Sequence, residues 1–127
     1  MAEGSLNIEG LRDKIGLERE VGVYEIEKGM IRKFALAIDD PNPLWQDEEY
    51  AKESKYGSII APPTFILTIG LDQIEQELTS LSSMTTLHGS TELECYQPVR
   101  PGDKITVTRK LANIRERQGR GTDKIVF

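Results

Sequence analysis

One cysteine, one histidine and one tryptophan occur in 127 residues. A single Cys95 allows no internal disulfide, so nothing in the cysteine usage points to a secreted, disulfide-held scaffold. With one His and one Cys the chain lacks the ligands for a His/Cys metal site, and no metal is expected. Positive charge is also in deficit: 16 Lys and Arg stand against 21 Asp and Glu, a net charge of −5. Nucleic-acid readers usually carry a clustered basic face, so no nucleic-acid partner is expected. The basic run of Arg115, Arg117 and Arg120 is broken by Glu116 and reads as a solvated strand end. Long apolar runs are missing too. The nearest, Ser58 to Leu71, is too short and too marked by proline to span a bilayer. Met1 to Ile8 carry no basic-then-apolar leader, so the expectation is a cytoplasmic protein with no membrane partner.

What is present suits one soluble domain over residues 1–127, with 38% hydrophobic and 29% charged residues. Residues 1–7 read as a loose tail, with Ser5 or Asn7 capping a short helix that runs to Lys14 and stops at Gly16. Residues 18–27 alternate apolar and charged positions, with a phase slip between Val23 and Tyr24, and predict a strand with one wet face. Met30, Ile31, Phe34, Ala35 and Ile38 then fall at helical spacing until Pro41 and Pro43 stop the helix. Asp39 and Asp40 follow that helix, where a carboxylate meets the negative end of the dipole. Their presence implies either a turn cap or a functional demand.

Asp47 to Ser54 predicts a short helix. Pro62-Pro63-Thr64 opens the most apolar helix of the chain, with Phe65, Ile66, Leu67, Ile69, Leu71 and Ile74, which is expected to be buried on several sides. Strand signals follow at Thr91 to Tyr96, a turn at Pro98 to Asp103, and strands from Ile105 to Leu111 and from Asp123. Gly119 to Gly121 marks another turn. The order predicts an α+β fold, an antiparallel sheet wrapped around a long central helix. Its open edges favour pairing of two domains. The last strand begins at Asp123 and the sequence stops at Phe127, so a truncated or atypically short C-terminus is expected.

The stretch Phe34-Ala35-Leu36-Ala37-Ile38-Asp39-Asp40-Pro41-Asn42-Pro43-Leu44 resembles the hydratase loop of MaoC-like proteins. So do Asp47, Tyr50-Ala51, Tyr56-Gly57 and Ile59-Ile60-Ala61-Pro62-Pro63-Thr64-Phe65. Leu87-His88-Gly89, Glu92 to Pro98 and Arg100-Pro101-Gly102-Asp103 are similar to the strand–turn–strand region of the fatty-acid-synthase-like dehydratase branch. The resemblance runs from about residue 9 to the end. It implies a hot-dog fold, acyl thioesters on CoA or acyl carrier protein as substrates, no further cofactor, and reversible hydration of a trans-2-enoyl group. In active members an Asp and a His hold the water. Backbone N–H groups at the start of the central helix polarise the thioester carbonyl. General acid–base chemistry near neutral pH and preorganised donors for the developing enolate make that arrangement reasonable.

Carried onto this chain, the Asp is Asp40, the candidate catalytic residue, and the loop Asn is Asn42. The position five after Asp40, where the active pattern has His, is Trp45. Indole donates a hydrogen bond and has no basic nitrogen, so it cannot take the water's proton. Pro63 stands where the active branch often has Gly and has no N–H to give, which makes Thr64 the first available donor. With Tyr50 and Ile60, the residues Asn42, Trp45, Pro63 and Thr64 are the expected substrate-binding set. The pattern resembles the non-catalytic half of a two-part hydratase or dehydratase. A homodimer, or a heterodimer with a catalytic MaoC-like subunit, is the expected assembly.

Plainer readings stand beside these. Asp40 is either a water-holding acid or a turn cap. Trp45 reads as a packing or tunnel residue. Tyr50 and Tyr56 either close the pocket mouth or pack on a helix face. His88 reads as a partly exposed strand-end residue, and Cys95 as an inert thiol on the apolar side of a strand. CoA phosphates would suit the basic run at Arg115. Three alternatives to the two-part enzyme remain: a self-sufficient hydro-lyase using Asp40, a non-enzymatic acyl-CoA binding module, and a thioesterase. Asp72 lies too late on the central helix to favour the last.

Overall fold

The computed structural model describes residues 8–81, 87–118 and 123–126. The expected tail and its caps at Ser5 and Asn7, and the turn at Gly119 to Gly121, lie outside them. The elements are α1 (Ile8–Arg12), β1 (Arg19–Glu25), α2 (Lys28–Ala37), α3 (Glu48–Glu53), α4 (Leu71–Leu81), β2 (Lys104–Arg109), β3 (Arg115–Gln118) and β4 (Asp123–Val126). Two short 3-10 helices, Pro43–Trp45 and Pro63–Thr68, join them.

β1 and β2 form an antiparallel ribbon with Tyr24 opposite Ile105 and Glu25 opposite Lys104. Its register shifts between Glu20 and Gly22. The slip in the apolar pattern is therefore a bulge, placed earlier than the sequence suggests. Two residues oppose one there, and Val21 and Gly22 are both half-buried. Beyond the bulge Tyr24 and Ile26 face inward while Val23 stays exposed. β3 and β4 make a second antiparallel pair.

The core lies between the ribbon and the helices. Ile26, Ile31, Ala35, Trp45, Ala51, Ile60 and Phe65 are among its buried members, and Phe34 meets Phe65 edge-on at 5.6 Å. α2 forms because Ile31 and Ala35 share one face, where both are fully buried. α3 starts at Asp47, whose carboxylate accepts from the N–H groups of Glu49 and Tyr50. Lys28 pairs with Glu48 between the two helices and holds the Glu48 carboxyl below its ordinary range.

Two expectations fail. The central helix is not continuous: a 3-10 helix ends at Thr68, Ile69 is extended, and Gly70 has a φ of +75° before α4 begins. Leu67 and Leu71 consequently remain more than 40% exposed. Glu77 of α4 ties this second piece to the ribbon through ion pairs with Arg19 and Arg109. Burial and the neighbouring Arg19 charge lower the pKa of Arg109. The second failure is the strand at Thr91 to Tyr96. These residues are irregular and exposed, bend at Tyr96, and enter no ladder among the described residues. Alternation prepares two faces, but a strand also requires a neighbour to accept its hydrogen bonds. No helix among the described residues is long and apolar enough to cross a membrane.

Candidate functional site

The loop after α2 is fixed by its own chemistry. Asp39 takes a left-handed φ of 53°, its N–H donates to Leu36 O at 3.1 Å, and Asp40 N–H donates to Ala35 O at 2.9 Å. This is a Schellman close of the helix, with Asp39 in the position usually given to glycine. Asp40 Oδ1 then accepts from Asn42 N at 3.1 Å, and Asn42 Oδ1 from Leu44 N at 3.0 Å. Pro41 and Pro43 have no N–H, so the two side chains satisfy the two donors that remain. Gln46 Nε2 donates to the carbonyl of Asp40 at 3.4 Å. The stiff loop delivers Trp45 into the core at 7% exposure. The Trp45 indole N–H and the Tyr24 hydroxyl are buried without a hydrogen-bond partner among the described residues.

Beside Trp45 lies a pocket of about 600 Å³, within the usual range for small-molecule sites. One wall comes from Leu44, Trp45, Tyr56, the stretch Ile60 to Pro63, and Ile66. The other is the irregular segment Glu94 to Val99. That segment is pinned across the pocket by Ala61 N–H to Val99 O at 2.8 Å and a weak Cys95 Sγ contact to Pro63 O at 3.9 Å. Arg100 adds bonds from Nη1 to the Tyr56 carbonyl and, at 2.7 Å, to Ser58 Oγ. Its backbone N–H donates to Asp103 Oδ2 at 2.9 Å, which closes the turn at Gly102. The lining is mostly apolar. Its polar pair is Tyr96, whose hydroxyl donates to Glu94 Oε2 at 2.5 Å. Donating that hydrogen bond to the Glu94 carboxylate raises the tyrosine pKa, because the bond favours the protonated phenol.

Trp45, Ile60 and Pro63 are thus brought together in one wall. Asp40 and Asn42 are half-buried in the loop leading to Trp45, and neither is part of the lining. Tyr50 is 53% exposed on α3, and Thr64 is exposed beside Pro63; both are outside the lining. Tyr56 belongs to the wall. His88 is exposed, with Nε2 2.6 Å from Thr91 Oγ1 and no place in the lining. Cys95 is exposed rather than packed, because the strand expected to bury it does not form. Sequence reasoning missed Glu94, Tyr96 and Arg100. The Glu-x-Tyr spacing, which places both side chains on one side in the alternating pattern, was the signal for the first two.

The FAS1-like dehydratase domain region matches residues 13–127. A UPF0336 protein of Streptomyces avermitilis is 38% identical over 100 residues, covering 76% of this chain and 67% of that protein. Among solved structures, a monoamine oxidase regulatory protein from Archaeoglobus fulgidus superimposes with a TM-score of 0.75 at 26% identity, over 93% of this chain and 78% of that one. A MaoC-like dehydratase from Rhodospirillum rubrum gives a TM-score of 0.57 at 27% identity, over 87% of this chain and 73% of that one. The C-terminally truncated HadBC (3R-hydroxyacyl-ACP dehydratase) complex of Mycobacterium tuberculosis gives 0.70 at 23% identity, over 84% of this chain and 78% of that one. The ribbon and the helices packed on it are accordingly an α+β hot-dog arrangement, and the chain belongs to the FAS1-like, MaoC-related dehydratase family.

Proposed function

We propose that this chain is the acyl-binding subunit of a two-part (R)-specific enoyl-thioester hydratase, equally a 3-hydroxyacyl-thioester dehydratase. Its partner is a second hot-dog subunit carrying the intact Asp/His pair. Trp45 is the observation that carries the reading. It forms part of the pocket wall at the position where the active pattern has its base. Adding water across the enoyl double bond requires a group that accepts the water's proton, and indole has no lone pair for it. No imidazole lines the pocket among the described residues. Asp40, the remaining half of the pair, already accepts a backbone hydrogen bond within its own turn. An apolar pocket of this size suits an acyl chain, and the HadBC neighbour is itself a complex. The substrate is an acyl thioester on CoA or acyl carrier protein, and no other cofactor is needed.

The test is the loss of enoyl absorbance from a short trans-2-enoyl-CoA. It compares the folded chain alone, its Asp40→Asn variant, and the chain mixed with an Asp/His-bearing MaoC-type protein. The expected result is no turnover from either form alone, and a changed rate or chain-length preference in the mixture. Turnover by the chain alone that vanishes in Asp40→Asn would make it a self-sufficient hydro-lyase instead. The lack of an imidazole in the lining among the described residues also favours a second reading, an acyl-thioester binding module. Saturable binding of a saturated acyl-CoA without any catalytic partner would mark that outcome.

A further inference from the structure

An apolar wall can still offer a ligand hydrogen-bond donors through its backbone, but the wall from Leu44 to Ile66 uses its own within the fold. Leu44 N–H donates to Asn42 Oδ1 at 3.0 Å, Trp45 N–H to Asn42 O at 3.2 Å and Tyr56 N–H to Ser54 Oγ at 3.2 Å. Ile60 N–H donates to Leu44 O at 3.3 Å and Ala61 N–H to Val99 O at 2.8 Å. Pro62 and Pro63 have no N–H. Ile66 lies inside the 3-10 helix Pro63–Thr68, whose ladder takes its N–H. The backbone of these lining residues therefore has no donor left over. One side chain does. Among the described residues, the buried side-chain polar atoms without a hydrogen-bond partner are the Tyr24 hydroxyl and the Trp45 indole nitrogen. Trp45 lines the pocket and Tyr24 does not.

The indole nitrogen can only donate, and solvent does not reach it. A buried donor left unpaired is costly, and a ligand acceptor placed against it removes that cost. The opposite wall sets the charge of the acceptor. It carries the Glu94 carboxylate, to which the Tyr96 hydroxyl already donates. A ligand carboxylate would meet like charge there, so the matching acceptor is uncharged. That wall can also give way to admit it. Cys95, Tyr96 and Gln97 are irregular and exposed. Among the described residues, their hydrogen-bonded tie to the first wall is the weak contact from Cys95 Sγ to Pro63 O at 3.9 Å.

We propose that the Trp45 indole N–H is the hydrogen-bond donor that this wall gives to the ligand, and that it takes an uncharged carbonyl oxygen of the acyl group. Trp45 is then a specificity-determining residue as well as a wall. The inference rests on the acyl-binding reading above and adds to it the polar atom that the acyl group must carry. The carbonyl is either that of the thioester itself or a keto oxygen farther along the chain.

The experiment is titration of the full chain with S-octanoyl-CoA, with S-octyl-CoA (a thioether of the same length that lacks the carbonyl), and with keto-octanoyl-CoA analogues whose second carbonyl is moved along the chain. Calorimetry compares wild type with Trp45→Phe, which keeps an aromatic ring and removes the N–H. Trp45 is the sole tryptophan of the chain, so its emission reports on this one indole, and a hydrogen bond to the N–H moves that emission to longer wavelength. A carbonyl in register is expected to tighten binding about 5-fold and to produce the shift. Trp45→Phe should abolish that advantage while still binding the thioether. An advantage of the thioester over the thioether assigns the donor to the thioester carbonyl. Equal binding of those two, with a gain for one keto analogue, assigns it to the chain. Equal binding of every ligand, or an advantage that survives in Trp45→Phe, overturns the donor role and leaves the acyl pocket standing. No binding of any ligand overturns the acyl-binding reading, and this inference with it. If Trp45→Phe does not fold, the emission of wild type carries the test: the same emission with the thioether as with the tightest carbonyl ligand overturns the donor role.

Discussion

Replacing Asp39 by glycine is expected to stabilise the protein. Asp39 closes α2 with a φ of 53° and is exposed. Left-handed backbone costs an L-residue about 1–2 kcal/mol, and aspartate lies at the lower end because its short side chain tolerates the conformation. Glycine removes that cost but adds about 0.4–1 kcal/mol of unfolded-chain entropy, so the backbone contributions nearly offset. The carboxylate remains to be counted. It stands just beyond the C-terminus of α2, against the negative end of the helix dipole, and its removal is worth about 0.3–1 kcal/mol. Together these give Asp39→Gly a gain of about 1 kcal/mol, or about 3–5 °C in Tm for a domain of this length. Asp39→Asn separates the contributions. It keeps a side chain that accepts the left-handed conformation, removes only the charge, and should raise Tm by about 1–3 °C. Thermal unfolding followed by far-ultraviolet circular dichroism measures both. A lower Tm for Asp39→Gly, with Asp39→Asn also at or below wild type, would refute the reasoning: Asp39 would then hold a favourable contact that outweighs both the dipole and the backbone strain.

Two further substitutions probe the site's supports. Asn42→Ala removes the acceptor for the Leu44 N–H and is expected to cost about 1 kcal/mol, read as a lower urea midpoint, whereas Asn42→Asp keeps an acceptor and should stay near wild type. Gly70→Ala puts a Cβ 3.2 Å from Val21 Cγ1 and 3.3 Å from the Tyr24 hydroxyl at a φ of +75°. Strain and crowding together should cost about 2 kcal/mol, and an unchanged Tm would mean that the helix break is not held as described.

The helices around the loop were legible because their signals are local. Ile31 and Ala35 share a face, Asp47 offers an acceptor to the next turn, and the prolines of the loop cannot continue a helix. The central helix was misread because its apolar spacing from Phe65 to Ile74 outweighed one glycine. Gly70 sits in the left-handed region against Tyr24 and Val21, and that long-range contact has no local signature. The strand at Thr91 to Tyr96 fails for a related reason. Alternation tells which side chains differ in polarity and says nothing of whether a neighbouring backbone exists. The pocket shows the same division. Trp45, Ile60 and Pro63 lie close in sequence to the loop and the central-helix start, and they were legible. The second wall and its Arg100 brace come from more than 30 residues away; Arg100 is 42 residues from Ser58.

The loop also shows why Asp40 and Asn42 by themselves say little about catalysis. Asp40 and Asn42 each cap the N–H two residues ahead, and the prolines between them leave no other local donor. Turn chemistry alone is sufficient reason for both to be present, whether or not a water is ever activated. The loop would keep its course, and still present the residue at position 45 to the pocket, in an enzyme or in a subunit that only binds. The chemical meaning therefore rests on position 45, where turn geometry makes no demand on the side chain and the resemblance places the base. An imidazole there would add a titratable base to a wall already built. The indole instead fills that wall, at 7% exposure, and leaves its N–H without a partner among the described residues. A buried unpartnered donor is a cost that packing must offset. Bulk at the head of an apolar pocket has a reason if that pocket shapes an acyl chain whose reacting end lies in the partner's site.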